Sequence, residues 1–265
     1  MQQYSEIETE VDSEENNRDI VLLNPSKEFS EEIIYKYDDK NNVKEYITIC
    51  ATEEVIKEIK GDFKLSSRSV NLIESGNMTI KSLDSNITGC LVKIVDKIYV
   101  VLDSDSEFSF LNIEDEQEIQ ENINAIVHQS KSIPFENPSL NEIYTTLTNQ
   151  LGEDVAQDYK YIIENVNSFE HHQNDFDEVS AIVLTAAHHG ILLYHVGEWA
   201  ESCNFASKAT ISQKKVQLEE YGYLESEKVD TFGRGRPRLK LNLSQNMYEE
   251  HYDVEIIKQL QELII

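Results

Sequence analysis

The chain lacks several features of membrane and secreted proteins. It contains no run of the roughly 18 apolar residues that a membrane helix needs. Its three cysteines, Cys50, Cys90 and Cys203, are scattered without paired spacing. Four prolines and nine glycines in 265 residues are too few for a low-complexity chain. These absences predict a folded cytoplasmic protein that has no disulfide framework and no contact with a membrane.

Positive charge is also scarce, but it is concentrated. The formal charge is −27, which argues against a nucleic-acid partner. Between Asn204 and Leu241, however, eight basic residues outnumber five acidic ones, and three of the chain's five arginines, Arg234, Arg236 and Arg238, lie within five positions. A basic island on an acidic chain indicates an anionic partner that is bound at one place. Chance clustering in a solvated hairpin is the alternative.

The acidity of the rest of the chain indicates a halophilic protein. A carboxylate-rich surface keeps a protein soluble where molar salt screens ordinary charge effects. This inference concerns the cell in which the protein works, not its function.

Short apolar runs alternate with helical patterns in the first half of the chain. Residues 1–18 are acidic and poor in apolar side chains, which predicts a disordered tail rather than a signal peptide. From residue 19 to 133, strands such as Ile20–Leu23 alternate with helices capped by Ser26 and Thr52. The pattern predicts an α/β domain of the βαβ type with a mostly parallel sheet.

This α/β domain is expected to bind a small-metabolite effector or to form a dimer interface. Open sheets bind ligands at the carboxyl ends of their strands, which places the candidate rims at Asn24–Ser26, Ala51–Thr52 and Leu83–Ser85. A dimerisation platform without a ligand fits equally well, and both readings stay open.

Pro134 and Pro138 mark the end of this domain. A helical connector is predicted over residues 134–175. Apolar residues at helical spacing from Val254 to Ile264 predict a final helix within residues 245–265, which would serve in pairing or docking.

Residues 176–244 have the element order of a winged helix-turn-helix. Ser207 is a good N-cap for the longest helix of this region, and Leu239, Leu241 and Leu243 alternate with polar residues as in a strand. The predicted helices are Asp177–His188, Gly197–Cys203 and the long helix Ser207–Tyr221. The predicted strands are the short Ile191–Tyr194, between the first two helices, and Tyr223–Val229 and Arg238–Leu243 after the third.

The long helix and the wing carry the chemistry of DNA recognition. Short hydroxyl and amide side chains read base edges in the major groove, while arginine, lysine and a helix N-terminus hold phosphates. A small helical domain with a hairpin that never meets DNA is the alternative. The predicted DNA-binding residues are Ser207, Lys208, Thr210, Ser212, Gln213, Lys214 and Gln217 on the helix and Arg234, Arg236 and Arg238 in the wing.

The region from Ile191 to Leu243 resembles the C-terminal domain of the haloarchaeal TbsP-type regulators, which are named as suppressors of the sugar-responsive TrmB regulator. Most of the resemblance lies in the segments ASKATISQKK and GRPRLKLNL, and the segment LNPS after the first strand is compatible with it. The resemblance implies a homodimer that binds double-stranded promoter DNA in the control of central carbon metabolism. The chain departs from the family in its low arginine content, long acidic start and extra C-terminal helix.

Metal, cofactor and catalytic sites find no support in the sequence. The pairs His171-His172 and His188-His189 have no carboxylate or cysteine at a ligand spacing, so no metal is expected. Cys203 has no base partner, and Asn24-Pro25-Ser26 stands where a glycine-rich nucleotide loop would lie. We therefore expect no cofactor and no enzymatic activity.

Three functions compete at this stage. A sequence-specific DNA-binding transcription regulator fits the basic wing and the polar helix. A winged-helix adaptor that binds protein partners instead would suit the overall acidity. An α/β enzyme with an accessory DNA-binding domain has the least support.

Overall fold

The computed structural model describes residues 18–38, 45–84, 87–104, 107–113, 117–165, 176–229 and 237–245. Contacts within the chain divide it into two compact units, one comprising the residues up to Gly61 and Leu65–Glu136, the other Asp62–Lys64 and the residues from Asn137 onwards. Arg234, Arg236, the acidic segment up to residue 17 and the helix predicted beyond residue 245 lie outside the described residues.

The first unit combines a sheet with helices. Its strands are β1 (Arg18–Leu23), β2 (Glu45–Ala51), β3 (Met78–Ser82), β4 (Cys90–Ile94), β5 (Lys97–Ser104), β6 (Glu107–Asn112) and β7 (Lys131–Ser132). Its helices are α1 (Lys27–Asp38), α2 (Glu53–Gly61), α3 (Phe63–Glu74), most of which belongs to this unit, and α4 (Gln117–Gln129).

The sheet confirms the α/β class and corrects the expected strand directions. Its order is β6-β5-β4-β1-β2-β3-β7, and it is parallel only at β1–β2 and β2–β3. The pairs β1–β4, β3–β7, β4–β5 and β5–β6 are antiparallel, so the sheet is mixed rather than mostly parallel. The reason is local: the short connections from β4 to β5 and from β5 to β6 leave no room for a crossover, so these strands pair as hairpins.

Alternation along β1 explains why helices cover both faces of this sheet. Ile20 and Leu22 point into a core shared with α1, α2 and α3, where Phe29 and Ile33 are buried. Val21 and Leu23 point to the opposite face, where α4 supplies the buried side chain of Ile123. A strand that is apolar on both faces is typical of a sheet covered on both sides.

The second unit consists of helices and one hairpin in the described residues. The helices are α5 (Leu140–Gln150), α6 (Glu153–Asn165), α7 (Glu178–His188), α8 (Leu193–Ser202) and α9 (Lys208–Glu220), and the hairpin pairs β8 (Leu224–Val229) with β9 (Arg238–Leu243). No helix in the described part of the chain is both long enough and apolar enough to cross a membrane.

One core holds this unit together around Trp199, the only tryptophan. Its indole is fully buried, and its Nε1 donates a hydrogen bond to Thr146 Oγ1 at 3.0 Å, which satisfies the one polar atom that burial would otherwise leave without a partner. The side chains of Ile211 and Leu218 from α9 and Leu241 from β9 are buried in the same core.

The strand expected at Ile191–Tyr194 is wrong in extent. Only Leu192 forms a bridge, to Lys240. Helix α8 begins at Leu193, four residues earlier than expected, because the Leu192 carbonyl already accepts the backbone N–H groups of His195 and Val196 at 2.9 and 3.3 Å. A single bridge therefore ties the start of α8 to the hairpin.

Candidate nucleic-acid interface

Helices α7, α8 and α9, followed by the β8–β9 hairpin, form a helix-turn-helix with a wing. The turn between α8 and α9 passes through Asn204, which has a left-handed φ of 55°, a conformation that asparagine tolerates better than most residues. Ser207 then caps α9, accepting the Thr210 N–H at 3.0 Å. The sequence predicted this cap and both ends of the helix correctly.

Helix α9 buries little apolar surface and exposes one continuous face. Its buried residues are Ile211 and Leu218, seven positions apart. The residues it leaves exposed follow a spacing of three and four positions, which places them along one side of the helix. They are Ala209, Ser212, Gln213, Val216 and Glu220, and we call them the recognition face.

The recognition face contains two of the predicted site residues, Ser212 and Gln213. Thr210 and Gln217 lie at its edges, half-buried. The hydroxyl groups of Thr210 and Ser207 share a hydrogen bond at 2.8 Å, and the Gln217 amide donates to the Tyr221 hydroxyl at 3.2 Å. Ser207 and Thr210 thus serve helix capping in this structure.

The lysines of α9 do not form the open basic surface that the sequence suggested. Lys208 pairs with Glu198 and, at 3.0 Å, with Glu201, both on α8. Hydrogen bonds to these two carboxylates raise the pKa of Lys208 well above its usual value. The sequence analysis missed this pairing because Glu198 and Glu201 belong to a separate helix.

The next two lysines are also paired. Lys214 contacts Asp177, the N-cap of α7, at 2.9 Å, and Lys215 contacts Glu219 one turn along at 2.5 Å. Lys214 is therefore directed toward α7 and Lys215 toward its own helix. The positive charge of α9 is balanced by carboxylates before any ligand binds.

A carboxylate also lies at the N-terminus of α9. The backbone N–H of Lys208 donates to Glu201 Oε1 at 3.4 Å, where a phosphate was expected to bind. The hydrogen bonds from Lys208 hold the pKa of Glu201 below its usual value. The positive end of the helix dipole thus already faces an anion of the protein itself.

The described base of the wing carries one of the three predicted arginines. Arg238 is the first residue of β9, and its guanidinium carbon lies 4.4 Å from the centre of the Tyr194 ring, within cation–π distance. Leu241 and Leu243 are buried while Lys240 and Asn242 are partly exposed, which confirms the expected alternation in the second half of the strand. Leu239, also expected to point inward, is only half-buried. Arg234 and Arg236 lie outside the described residues.

Arg238 and Tyr194 line a cleft of about 350 Å³, which also touches Ser212 of the recognition face. Tyr194 leaves 47% of its surface exposed. The cleft and the recognition face therefore form one continuous surface that runs from α9 to the base of the wing.

The sequence analysis missed four exposed residues of this surface: Tyr194, Ala209, Val216 and Glu220. Val216 is 48% exposed although it is apolar. Ala209 and Val216 could have been found from the sequence, since they lie three or four positions from Ser212 and Gln213. Tyr194 could not, because its place depends on the early start of α8.

The residues predicted to bind an effector lie at one edge of the sheet in the first unit, except Ser85, which is outside the described residues. The side chains of Asn24, Ser26 and Thr52 already make structural hydrogen bonds there. Because β1, β2 and β3 are parallel neighbours, their carboxyl ends share one edge. There the Asn24 amide donates to the carbonyls of Ile87 and Gly89 at 2.8 and 3.2 Å. Ser26 and Thr52 accept the N–H groups of Phe29 and Val55 at 3.2 and 3.5 Å, as helix caps.

Comparison with known proteins gives two family matches that together cover most of the chain. Residues 3–130 match the N-terminal domain of the TbsP-like transcriptional regulators, and residues 139–261 match the C-terminal helix-turn-helix domain of the same regulators. No curated protein matches the chain.

Among solved structures, the chain resembles an archaeal chromatin protein, TrmBL2, described as showing a novel mode of DNA binding. The identity is 16%, the match covers 49% of this chain and 51% of that one, and the TM-score is 0.33. The chain thus spans about half the length of that protein, and at this score the likeness supports no argument.

Proposed function

Since the chain belongs to the TbsP-like family of transcriptional regulators, we propose that it recognises its operator with the recognition face of α9 in the major groove. The observation that carries the proposal is the composition of that face. Four of its five side chains are uncharged, namely Ala209, Ser212, Gln213 and Val216, and the one carboxylate, Glu220, lies at the C-terminal end of the helix. Uncharged side chains flanked by ion-paired lysines suit contact with base edges better than contact with phosphate alone.

Each of the four uncharged side chains of the recognition face suits a particular base contact. The Gln213 amide fits the paired acceptor and donor of adenine. The hydroxyl of Ser212 donates to the Lys208 carbonyl at 2.8 Å, which leaves its oxygen to accept a hydrogen bond from a base. The methyl groups of Ala209 and Val216 fit the thymine methyl group. We therefore infer an operator whose contacted positions include A·T base pairs.

The phosphate contacts are assigned to the base of the wing. Arg238 is held by Tyr194 beside the recognition face, and Arg234 and Arg236 precede it by four and two positions. A planar guanidinium fits phosphate oxygens in a bidentate way. Lys208 and Lys214 can bind phosphate only if it replaces their carboxylate partners. We therefore assign most of the attraction for the DNA backbone to the arginines of the wing.

Targets, assembly and site of action are proposals that rest on the family resemblance. We propose that the protein acts in the cytoplasm as a homodimer on promoters of central carbon metabolism. A dimer would present two copies of α9 to a two-fold symmetric operator. The exposed Leu102 and Leu111, on adjacent strands β5 and β6 at the end of the sheet, are consistent with an interface between two copies. A small-metabolite effector at the carboxyl edge of the sheet is the remaining possibility for the first unit.

A genome-wide map of bound sites in the native host tests this function. We expect discrete peaks that share one motif and lie upstream of genes for carbon metabolism. The matched strain carries Ser212→Glu, which puts a carboxylate on the recognition face and should erase the peaks. Peaks that persist in the variant, or a wild-type map without a shared motif, would favour the protein-binding adaptor.

A further inference from the structure

A cluster of three metal-ligating side chains lies outside the DNA-binding surface. Asp158 comes from α6, His188 is the last residue of α7, and His189 follows it directly. His189 Nε2 lies 2.7 Å from Asp158 Oδ2, and the rings of His188 and His189 lie 4.9 Å apart at 73°. One ligand atom from each residue lies within 4.8 Å of the other two, and all three residues are half-buried.

We propose that Asp158, His188 and His189 bind one divalent transition-metal ion of the Zn²⁺ type, with a fourth position left for water or an added ligand. Imidazole nitrogen and carboxylate oxygen are the ligands that such ions take in sites with three protein ligands. With metal–ligand bonds of about 2.1 Å, a tetrahedral ion places its ligand atoms about 3.4 Å apart. In the cluster, His189 Nε2 and Asp158 Oδ2 lie 2.7 Å apart and all three ligand atoms lie within 4.8 Å of one another, so the tetrahedral distance falls within the range of the cluster. A bound ion would replace the direct contact between His189 and Asp158.

The electrostatic surroundings favour a cation at this place. His188 and His189 stand at the C-terminal end of α7, where the helix dipole is negative. Asp158 adds a full negative charge. The chain as a whole carries a formal charge of −27, so the long-range field also attracts cations.

The sequence analysis dismissed this site for a reason that the fold removes. It found no carboxylate at a ligand spacing from the histidine pair, but Asp158 lies thirty-one positions from His189. Packing of α6 against α7 brings it into place. An ion here joins α6 to the first helix of the helix-turn-helix, so binding should stabilise that pair of helices.

Titration of the full chain with Co²⁺ tests the site, because visible absorption reports a tetrahedral nitrogen and oxygen ligand set directly. We expect one equivalent to bind with such a spectrum, and Zn²⁺ to displace it. Asp158→Asn and His189→Ala should weaken binding more than the roughly 10–100-fold that the loss of an outer-shell partner costs. Zn²⁺ should raise the midpoint of thermal unfolding of the wild type but not of these variants.

Two controls separate this site from adventitious binding to histidine. His195→Ala removes an exposed histidine of α8, and the double change His171→Ala, His172→Ala removes the other histidine pair. Both should bind Co²⁺ like the wild type. Asp158→Asn retains a hydrogen-bonding group beside His189, so circular dichroism should show it folded. Wild-type-like binding by the Asn variant, absence of a Co²⁺ spectrum, or equal loss in the controls would overturn the proposal.

Discussion

Glu178 is a carboxylic acid held partly in the protein interior beside α9. It follows the N-cap Asp177, whose carboxylate accepts the Ser180 N–H at 2.8 Å and also pairs with Lys214. The pKa of Glu178 is raised to about 7, chiefly because burial disfavours the charged carboxylate. The charge of Asp177 contributes to the rise, while a backbone hydrogen bond and the charge of Lys214 oppose it. Near neutral pH this side chain therefore changes between its neutral and its charged form, at the end of α7 that lies beside Lys214 of α9.

The raised pKa of Glu178 predicts how stability depends on pH. An acid whose pKa is higher in the folded state stabilises the fold below its ordinary pKa, near 4.5, and that contribution is lost as pH rises toward about 7. Glu178→Gln should therefore match the wild type at pH 5 and exceed it at pH 8, by up to about 3 kcal/mol in the free energy of unfolding. Chemical denaturation at the two pH values measures the difference.

The matched control is Glu118→Gln, at an exposed position in the first turn of α4. Its effect on stability should be the same at both pH values. A Glu178→Gln variant that gains nothing between pH 5 and pH 8 would contradict the assignment.

Individual site residues were predictable from the sequence where they depend on helix periodicity, and not where they depend on packing. Ser207 as a cap, Ile211 and Leu218 as core and Ser212 and Gln213 as exposed residues all follow from the spacing within α9. The partners of Lys208 and Lys214 come from α8 and the start of α7, and Asp158 comes from α6. Those contacts require the packed arrangement of helices, which no local pattern contains.

The described base of the wing carries charges of both signs. Arg238 and Lys240 lie on β9, and Glu225 and Glu227 lie on β8. In the hairpin register, Glu227 lies opposite Lys240 and Glu225 opposite Asn242. The acidic strand β8 therefore faces the basic strand β9. We therefore expect net attraction for phosphate to come from Arg234, Arg236 and Arg238.

Arg238→Gln should weaken binding to all DNA sequences by a similar factor. Loss of one phosphate contact should reduce the slope of log affinity against log salt by about 0.9, and the triple change of Arg234, Arg236 and Arg238 to Ala by up to about three times as much. Fluorescence anisotropy at several salt concentrations measures both.

Lys57→Gln removes one exposed positive charge from α2 and controls for the change in net charge. It should leave the slope unchanged. If Arg238→Gln behaves like this control, the base of the wing does not touch DNA.

The sequence predicted most elements to within a few residues and failed at the edges of the sheet. Strands β6 and β7 went unnoticed, since β7 has two residues and β6 follows an acidic segment with no distinct pattern before it. The predicted strand directions were also wrong, because the spacing of apolar residues shows which residues are buried but not which strands pair with each other. Helix α8 started early because Leu192 caps it through its backbone alone, without a side-chain signal.

The whole molecule has the same sign of charge as its ligand: it belongs to a family of DNA-binding transcription regulators, yet its formal charge is −27. The ion pairs of α9 show how the acidity extends to the site itself. A protein that meets DNA with few unpaired cations releases few counterions, so its affinity should fall only gently with salt. Repulsion between DNA and the remaining carboxylates is long-range and is screened by salt.

Specific binding should therefore persist between roughly 0.5 and 2 M potassium chloride, where the Debye length falls to a few ångströms. Contacts of the recognition face with bases act at shorter range and survive this screening. Anisotropy titrations, with circular dichroism to confirm that the protein is folded, measure the effect. A specific complex that dissociates steadily across this range while the protein stays folded would refute the interpretation of the acidity as an adaptation to salt.

The central claim is that the exposed face of α9 reads bases, and selection of binding sites from a pool of randomised DNA duplexes tests it most directly. The wild type and Gln129→Ala, which removes an exposed glutamine from α4, should return the same motif. Gln213→Ala should return that motif with the preference lost at one A·T pair in each half-site, a difference worth ~1–3 kcal/mol in relative affinity. An unaltered motif for Gln213→Ala, or no motif for the wild type, would contradict the account.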